Sequence, residues 1–388
     1  MSVIVRLAGR GDGVTAEGDY FPFTAPGDEV RADGIIVPGP HRVNPPCRHY
    51  PACGGCQLQH VDDETFAKFL ADRIVGGLNA QGLDAPAMRP AHVSPPFARR
   101  RVSLRAERKG RRIIIGFNEE KSHKIVDLQQ CDVMAPELFA LLQPLRGLLL
   151  HLLADKRAGG VQMTLSDQGV DVLLDKVTAE GLAAAEAITE FAMTHKLARL
   201  GLEEGYGPEA RWEPQPVTVT FAGVPVPLPF AAFLQATPDG EAALVAAVRE
   251  IVGDAAASVD LFAGLGTFAL ALPGKVLAVE GARDAVLALK RTGMAVEHRD
   301  LFRRPLTRAE LARFDAVVLD PPRAGAREQI VEIAAADVAR LAYVSCNPAT
   351  FARDAKTLVD GGWRLDWIQP VGQFRWSTHA ELVGSFSR

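Results

Sequence analysis

From about residue 244 onward, apolar runs of strand length alternate with helix-length stretches, and this rhythm restricts the possible folds more than any other feature of the chain. Residues 244–251 have helical periodicity and 258–262 read as a strand. A helix is expected to begin over 268–272, a strand over 275–280 and a helix over 283–291. Two further nearly continuous apolar runs, 314–320 and 340–344, read as buried strands. Strands joined through helices pair in parallel and are covered on both faces. The expectation is an α/β unit with a mostly parallel sheet, in which ligands bind beyond the carboxyl ends of the strands.

The rest of the chain follows other patterns. Residues 1–40 alternate short apolar runs with Gly and Asp, as in Gly11-Asp12-Gly13-Val14, and predict a small β-barrel. Residues 41–211 mix a helix over 63–78, strands over 102–106 and 113–117, a helix over 136–153, two more strands and another helix, which predicts an α+β unit. Trp212-Glu213-Pro214-Gln215-Pro216 marks the next boundary, so 212–388 form the third unit. A formal net charge of -4 places any nucleic-acid surface in a local patch. No secretion signal and no bilayer-spanning apolar run are visible, so a cytoplasmic protein with no membrane partner is expected. No obligate protein partner is inferred.

Five cysteines divide into two groups. Cys47, Cys53 and Cys56 stand close together, and Cys131 lies far downstream. In a reducing compartment, four thiols suit ligation of a metal centre, and a tetrahedral zinc is physically compatible with them. The fifth, Cys346, follows the 340–344 strand within Val344-Ser345-Cys346-Asn347-Pro348, where the polar flanks and the strand exit suit a nucleophile. A buried inert thiol is the alternative.

Asp260-Leu261-Phe262-Ala263-Gly264-Leu265-Gly266 joins a strand to the next segment. Gly264 and Gly266 would let a ligand approach the backbone closely. A dinucleotide also fits such a turn. Asp260 would repel a pyrophosphate and attract an ammonium, while Glu280, ending the next strand, could accept both hydroxyls of a ribose. S-adenosylmethionine has those groups and no phosphate. Asp320-Pro321-Pro322-Arg323 holds Asp320 at the same sheet edge, since the prolines end the strand.

Taken together, Cys47-x5-Cys53-Gly54-Gly55-Cys56, Asp260-Leu261-Phe262-x-Gly264-x-Gly266, Asp320-Pro321-Pro322-Arg323, Ser345-Cys346-Asn347-Pro348 and His379-x-Glu381 resemble the S-adenosylmethionine-dependent RNA uracil-5-methyltransferases. The nearest branch by this likeness is the iron–sulfur group that modifies uridine in 23S ribosomal RNA. The resemblance implies a class I, Rossmann-like methyltransferase unit and an RNA-binding barrel of the TRAM type at the N-terminus. It implies a [4Fe-4S] cluster on Cys47, Cys53, Cys56 and Cys131. It assigns S-adenosylmethionine to Gln235, Asp260, Phe262, Gly264, Gly266, Glu280 and Asp320. It makes Cys346 the nucleophile toward uracil C6, Glu381 the base at C5, and Asp320 a residue orienting the uracil edge or the adjacent backbone. A transfer-RNA uridine methyltransferase and a non-catalytic RNA-binding iron–sulfur protein are the alternatives. Independently, Arg99, Arg100, Arg101, Arg105, Arg108, Lys109, Arg111 and Arg112 form a basic patch suited to phosphate contact with RNA, whose target base would sit in a loop or be flipped out.

Overall fold

The structure is a computed structural model and describes residues 2–388. Four sheets organise the chain.

The larger half is built on a nine-stranded sheet. Its order is Ala295–His298, Lys275–Glu280, Ala257–Leu261, Ala316–Leu319, Arg340–Ser345, Glu381–Ser387 and Arg364–Gly372, with Ala87–Met88 and His92–Val93 beside the last. The first five run parallel, and Glu381–Ser387 inserts antiparallel to both its neighbours. Buried Val, Leu, Ala and Ile on these strands meet apolar residues of the covering helices on both faces, as near-continuous apolar strands require. Chain order runs outward in both directions from Ala257–Leu261, so a crevice opens at its carboxyl end. The segment after it gives only a 3₁₀ turn, Ala269–Ala271, rather than the expected helix. Pro273 follows immediately and disfavours helical backbone at Leu272.

A six-stranded sheet lies next to it, with strands Arg101–Lys109, Arg112–Gly116, Ala158–Ser166, Gly169–Asp175, Arg199–Glu203 and Pro208–Trp212. In Arg101–Lys109, Val102, Leu104 and Ala106 face the core and the intervening residues face outward. Leu142–Leu152 buries its leucines against this face. A two-stranded hairpin, Thr218–Phe221 with Val224–Pro227, connects the halves.

The N-terminal residues form a five-stranded sheet in the order Tyr20–Phe21, Gly13–Thr15, Ser2–Leu7, Glu29–Val30, Ile36–Val37. The expected barrel is corrected here. The two outer strands do not pair, so the sheet is curled but open. Strands of two or three residues are too short to carry a closing register around a barrel.

Among the described residues, no helix is long and apolar enough to cross a membrane.

Candidate active site

The carboxyl edge of the large sheet carries a cavity of about 620 Å³, within the range that encloses cofactor-sized molecules. Its walls include Gln235, Phe262, Gly264, Glu280, Asp320, Cys346 and Glu381. Glycine turn, thiol and terminal glutamate therefore share one chamber.

The glycine turn is shaped by its backbone. Gly264 has φ +54°, and a Cβ built there would meet nothing within 4 Å, so open space lies directly over it. Gly266, at φ +87°, has no such freedom; a Cβ would stand 2.6 Å from Leu289. Glu280 is held rigidly: Gly264 N–H donates to Oε2 (2.9 Å) and Ala282 N–H to Oε1 (2.6 Å). Phe262, with φ +62°, turns its ring against Phe302 at 5.3 Å. Asp260 does not line the chamber. It lies fully buried beneath the turn, where Ala269 N–H donates to Oδ2 (2.9 Å) and Oδ1 has no protein partner. Burial, reinforced by the Glu280 charge, pushes its carboxyl up to about 8.

Cys346 is placed by two turns bound together. Arg340–Ser345 ends at Ser345, and Asn347 caps the helix Pro348–Asp360 by accepting from Ala349 N–H. Asn347 Nδ2 and Thr350 Oγ1 both donate to the carbonyl of Arg323 (3.0 and 3.3 Å), which ties the thiol's turn to the Asp320-Pro321-Pro322-Arg323 turn. Burial pushes the half-buried thiol above its usual range, and the charges of Glu381 and Asp320 add to this; Arg323 works against it. Asp320 opens partly onto the cavity, yet burial and the neighbouring Glu381 and Asp260 carboxyls raise it well above an ordinary carboxyl.

Glu381 starts the antiparallel strand Glu381–Ser387, which pairs Leu382 with Ser345 and so delivers the glutamate beside Cys346. It is 6% exposed. Burial pushes its carboxyl up to about 7, against the opposing pull of the Gln373 amide, Arg101 and Arg323. Gln373 Nε2 donates to Glu381 and also to Oε1 of Gln235 (2.8 Å). Gln373 carries no local sequence signal. Its partners stand 8 and 138 positions away, and only the folded sheet unites them.

The basic patch separates into distinct roles. Arg101 lines the cavity with its guanidinium 4.7 Å from the ring centre of Phe233. Arg100 is buried, donates to the Gln235 carbonyl (2.9 Å) and pairs with Glu241. Arg99 lies 5.1 Å from the Phe374 ring. Arg108 donates to the carbonyls of Leu150 and Leu153 at the end of the helix Leu142–Leu152. Arg112 pairs with Asp127 (2.6 Å) and Lys109 with Glu107 (3.2 Å). Arg105 and Arg111 are exposed and make no ion pair among the described residues.

The expected metal centre is also corrected. Cys47, Cys53, Cys56 and Cys131 are free thiols around one recess of about 20 Å³, room for a single water. Among the described residues, no group of three or more His, Cys, Asp or Glu side chains is set to hold a metal ion. Burial raises all four thiols, Cys56 to about 12. The residues as arranged do not fit a [4Fe-4S] cluster, and the assignment to an iron–sulfur branch falls with it.

A parallel sheet with a glycine turn and a carboxylate at its carboxyl edge is the arrangement expected of an S-adenosylmethionine-dependent methyltransferase. Residues 291–386 match the family model described as tRNA (Uracil-5-)-methyltransferase. An uncharacterized RNA methyltransferase of Zymomonas mobilis is 51% identical, with all of both chains covered. The 23S rRNA (uracil(1939)-C(5))-methyltransferase RlmD of Pectobacterium atrosepticum is 31% identical over 91% of this chain and 82% of its own. Among solved structures, the tRNA (uracil-54, C5)-methyltransferase of Pyrococcus abyssi, in complex with S-adenosyl-L-homocysteine, superposes with a TM-score of 0.74 over the whole of both chains. At 23% identity, that likeness is one of fold. The chain belongs to the S-adenosylmethionine-dependent RNA (uracil-5-)-methyltransferase family: it is an enzyme that methylates uridine C5 in RNA.

Proposed function

We propose that the enzyme methylates C5 of a uridine in transfer RNA, through a transient bond between Cys346 and C6 of the base. The observation that carries the reaction is the shared cavity of Cys346, Glu381, Gln235 and the glycine turn. Bound at Gly264 and Glu280, S-adenosylmethionine supplies an electrophilic methyl group.

Uracil C5 is a poor nucleophile until C6 is attacked. The Cys346 thiolate adds to C6, a carbon–sulfur bond forms, and the electron pair moves through C5 and C4 onto O4. C5, now electron-rich, takes the methyl group as the methyl–sulfonium bond breaks; its electrons stay on sulfur, S-adenosylhomocysteine would leave, and the C4 carbonyl re-forms. Glu381 then removes the C5 proton, the C5–C6 double bond re-forms, and the thiolate leaves. A carboxyl near 7 suits a base working at neutral pH. Asp320, whose carboxyl burial and the neighbouring Glu381 and Asp260 push well above the ordinary range, faces the same cavity and is placed to contact the uracil edge.

The target base must leave its stack, which costs less in a loop than in a helix. Arg101 and Phe233 at the cavity wall suit stacking and charge contact with RNA, and Arg105 and Arg111 suit phosphates further out. Transfer RNA is favoured because the family model is described for it. With no metal centre to argue from, the case for ribosomal RNA rests on the 31% identical relative alone, and it stands as the second reading.

Labelled methyl transfer to in vitro transcripts of both RNA classes tests the substrate. A 5-fluorouridine transcript tests the mechanism: the fluorine cannot leave as a proton, so the RNA should stay bound to Cys346 and be mapped there by mass. Methylation without any trapped adduct would refute the covalent route.

A further inference from the structure

Gln373 follows the strand Arg364–Gly372 and is 2% exposed. Its Oε1 accepts from the backbone N–H of Thr237 (3.3 Å). Its Nε2 donates to Gln235 Oε1 (2.8 Å) and to Oε2 of Glu381. A backbone N–H can only donate, so the Thr237 contact decides which end of the Gln373 amide is oxygen. The nitrogen end then faces Glu381 and Gln235, and Gln235 must offer its oxygen in return. The Nε2 of Gln235 is thereby left without a hydrogen bond among the described residues, on a side chain that lines the cavity.

We propose that Gln373 is a positioning residue that fixes the polarity of the Gln235 amide, so that the site presents N–H donors to O4 of uracil and rejects cytosine. The inference rests on the proposed reaction. Around the ring, C6 meets Cys346 and C5 meets Glu381, so the next atom, C4, falls to the group one amide away, Gln235. The electron pair released by addition at C6 collects on O4. Donors aimed there bind the adduct more tightly than the free base, which lowers the barrier. Cytosine carries an amino group at that position. Donor would then face donor, leaving both unpaired.

Gln373 is held in place independently of any ligand. The helix Pro238–Val252 is capped by Thr237, and its Gly240 packs against the Gln373 stem. A Cβ at Gly240 would stand 2.4 Å from Gln373 Cγ and 2.7 Å from Thr237 Oγ1. The charged or ionisable neighbours of Glu381 are Arg101, Arg323, Asp320 and Cys346, and none of them replaces the amide's two-sided contact.

The test uses the full-length enzyme and the transcript that wild type methylates, with 5-fluorouridine or 5-fluorocytidine at the target position. Gln373→Met keeps the length of the side chain and removes both hydrogen-bonding ends. Methyl transfer to uridine should fall about 10²-fold, as when one oxyanion donor is lost. The preference for trapping fluorouridine over fluorocytidine should drop at least about tenfold. The acid limb of the pH profile should move to higher pH, because the donor that steadies ionised Glu381 is gone. Gln235→Glu leaves Gln373 untouched and exchanges the free donors for an acceptor; it should raise fluorocytidine trapping relative to fluorouridine. If wild type traps neither base, the proposed reaction itself is wrong. If wild type traps fluorouridine, while a normally melting Gln373→Met keeps its preference and its pH limb, the inference is overturned. Should that variant melt early, an unchanged preference in Gln235→Glu overturns it equally.

Discussion

At the scale of single residues, the proposed reaction depends on a carboxylate that burial would make a better base. With the Glu381 carboxyl near 7, its ionised form declines as pH falls below that value. The rate should therefore drop roughly tenfold per pH unit in the acid range, a slope that a pH–rate profile measures directly. Glu381→Gln removes the base and keeps the shape. Turnover should fall by about 10²–10⁴-fold while the Cys346 adduct still forms on ordinary uridine RNA, because proton removal comes after addition. A variant that loses both turnover and adduct would show that Glu381 serves addition instead. The placing of Cys346 and Asp320 at one sheet edge was legible because each follows a strand beside a breaker, whereas Glu381 was singled out only by its family motif. Gln373 was not. Hydrogen-bond reach to Gln235 and Glu381 is a property of the assembled sheet, and no periodicity marks it. The reverse error befell the arginines. Arg100 and Arg108 stand in a basic run, yet both guanidinium groups bind carbonyls inside the protein. Charge in a sequence does not say which way a side chain points.

At the scale of elements, the parallel sheet was readable from its apolar strands, whereas closure and register were not. The small N-terminal sheet illustrates why: its strands are too short to close a barrel, and tertiary ties hold the shape that results. Asp28, with 0% exposure, accepts N–H groups of Ala25 (2.7 Å) and Gly39 (2.8 Å) and pairs with Arg42 (2.6 Å). Burial alone would raise this carboxyl, but Arg42 and the two N–H groups lower it further than burial raises it. A depressed folded value means that the stability it contributes is present above the unfolded value of about 3.9 and is lost as pH falls through the folded one. Arg42→Ala strands the buried carboxylate and should cost about 3 kcal/mol by urea denaturation at neutral pH. A loss below about 1 kcal/mol would mean that the N–H groups suffice alone. The helix Pro238–Val252 makes a second case. Gly240→Ala forces a Cβ against the buried stem of Gln373, not against a free side-chain end. It should reproduce the activity loss of Gln373→Met with the helix retained, as circular dichroism and methyl transfer together would reveal.

At the scale of the whole molecule, the methyltransferase sheet is not made by the C-terminal residues alone. The helix Asp63–Asn79 inserts Ile74 and Leu78 into the same core as Val259, Leu261, Phe351 and Phe386. Ala87–Met88 and His92–Val93 pair in parallel with Arg364–Gly372 and cover the sheet edge that would otherwise be open. Gly372 is packed so closely that a Cβ there would stand 2.7 Å from Leu70. Phe66 and Leu70, both fully buried, continue this contact toward Ala25 and Leu58 nearer the N-terminus. Sequence rhythm places a boundary near residue 212 because the proline-rich piece and the change of period fall there, and periodicity carries no record of which distant helix fills a core. Residues 212–388 expressed alone should therefore lack a cooperative thermal transition, bind a hydrophobic dye and aggregate through the uncovered edge of Arg364–Gly372. Adding residues 62–93 as a separate peptide should restore near-ultraviolet dichroism, since those residues supply the missing core side chains and the missing edge strands. A fragment that melts cooperatively without the peptide would mean that the sheet closes its own core, and that the N-terminal third serves only to hold RNA.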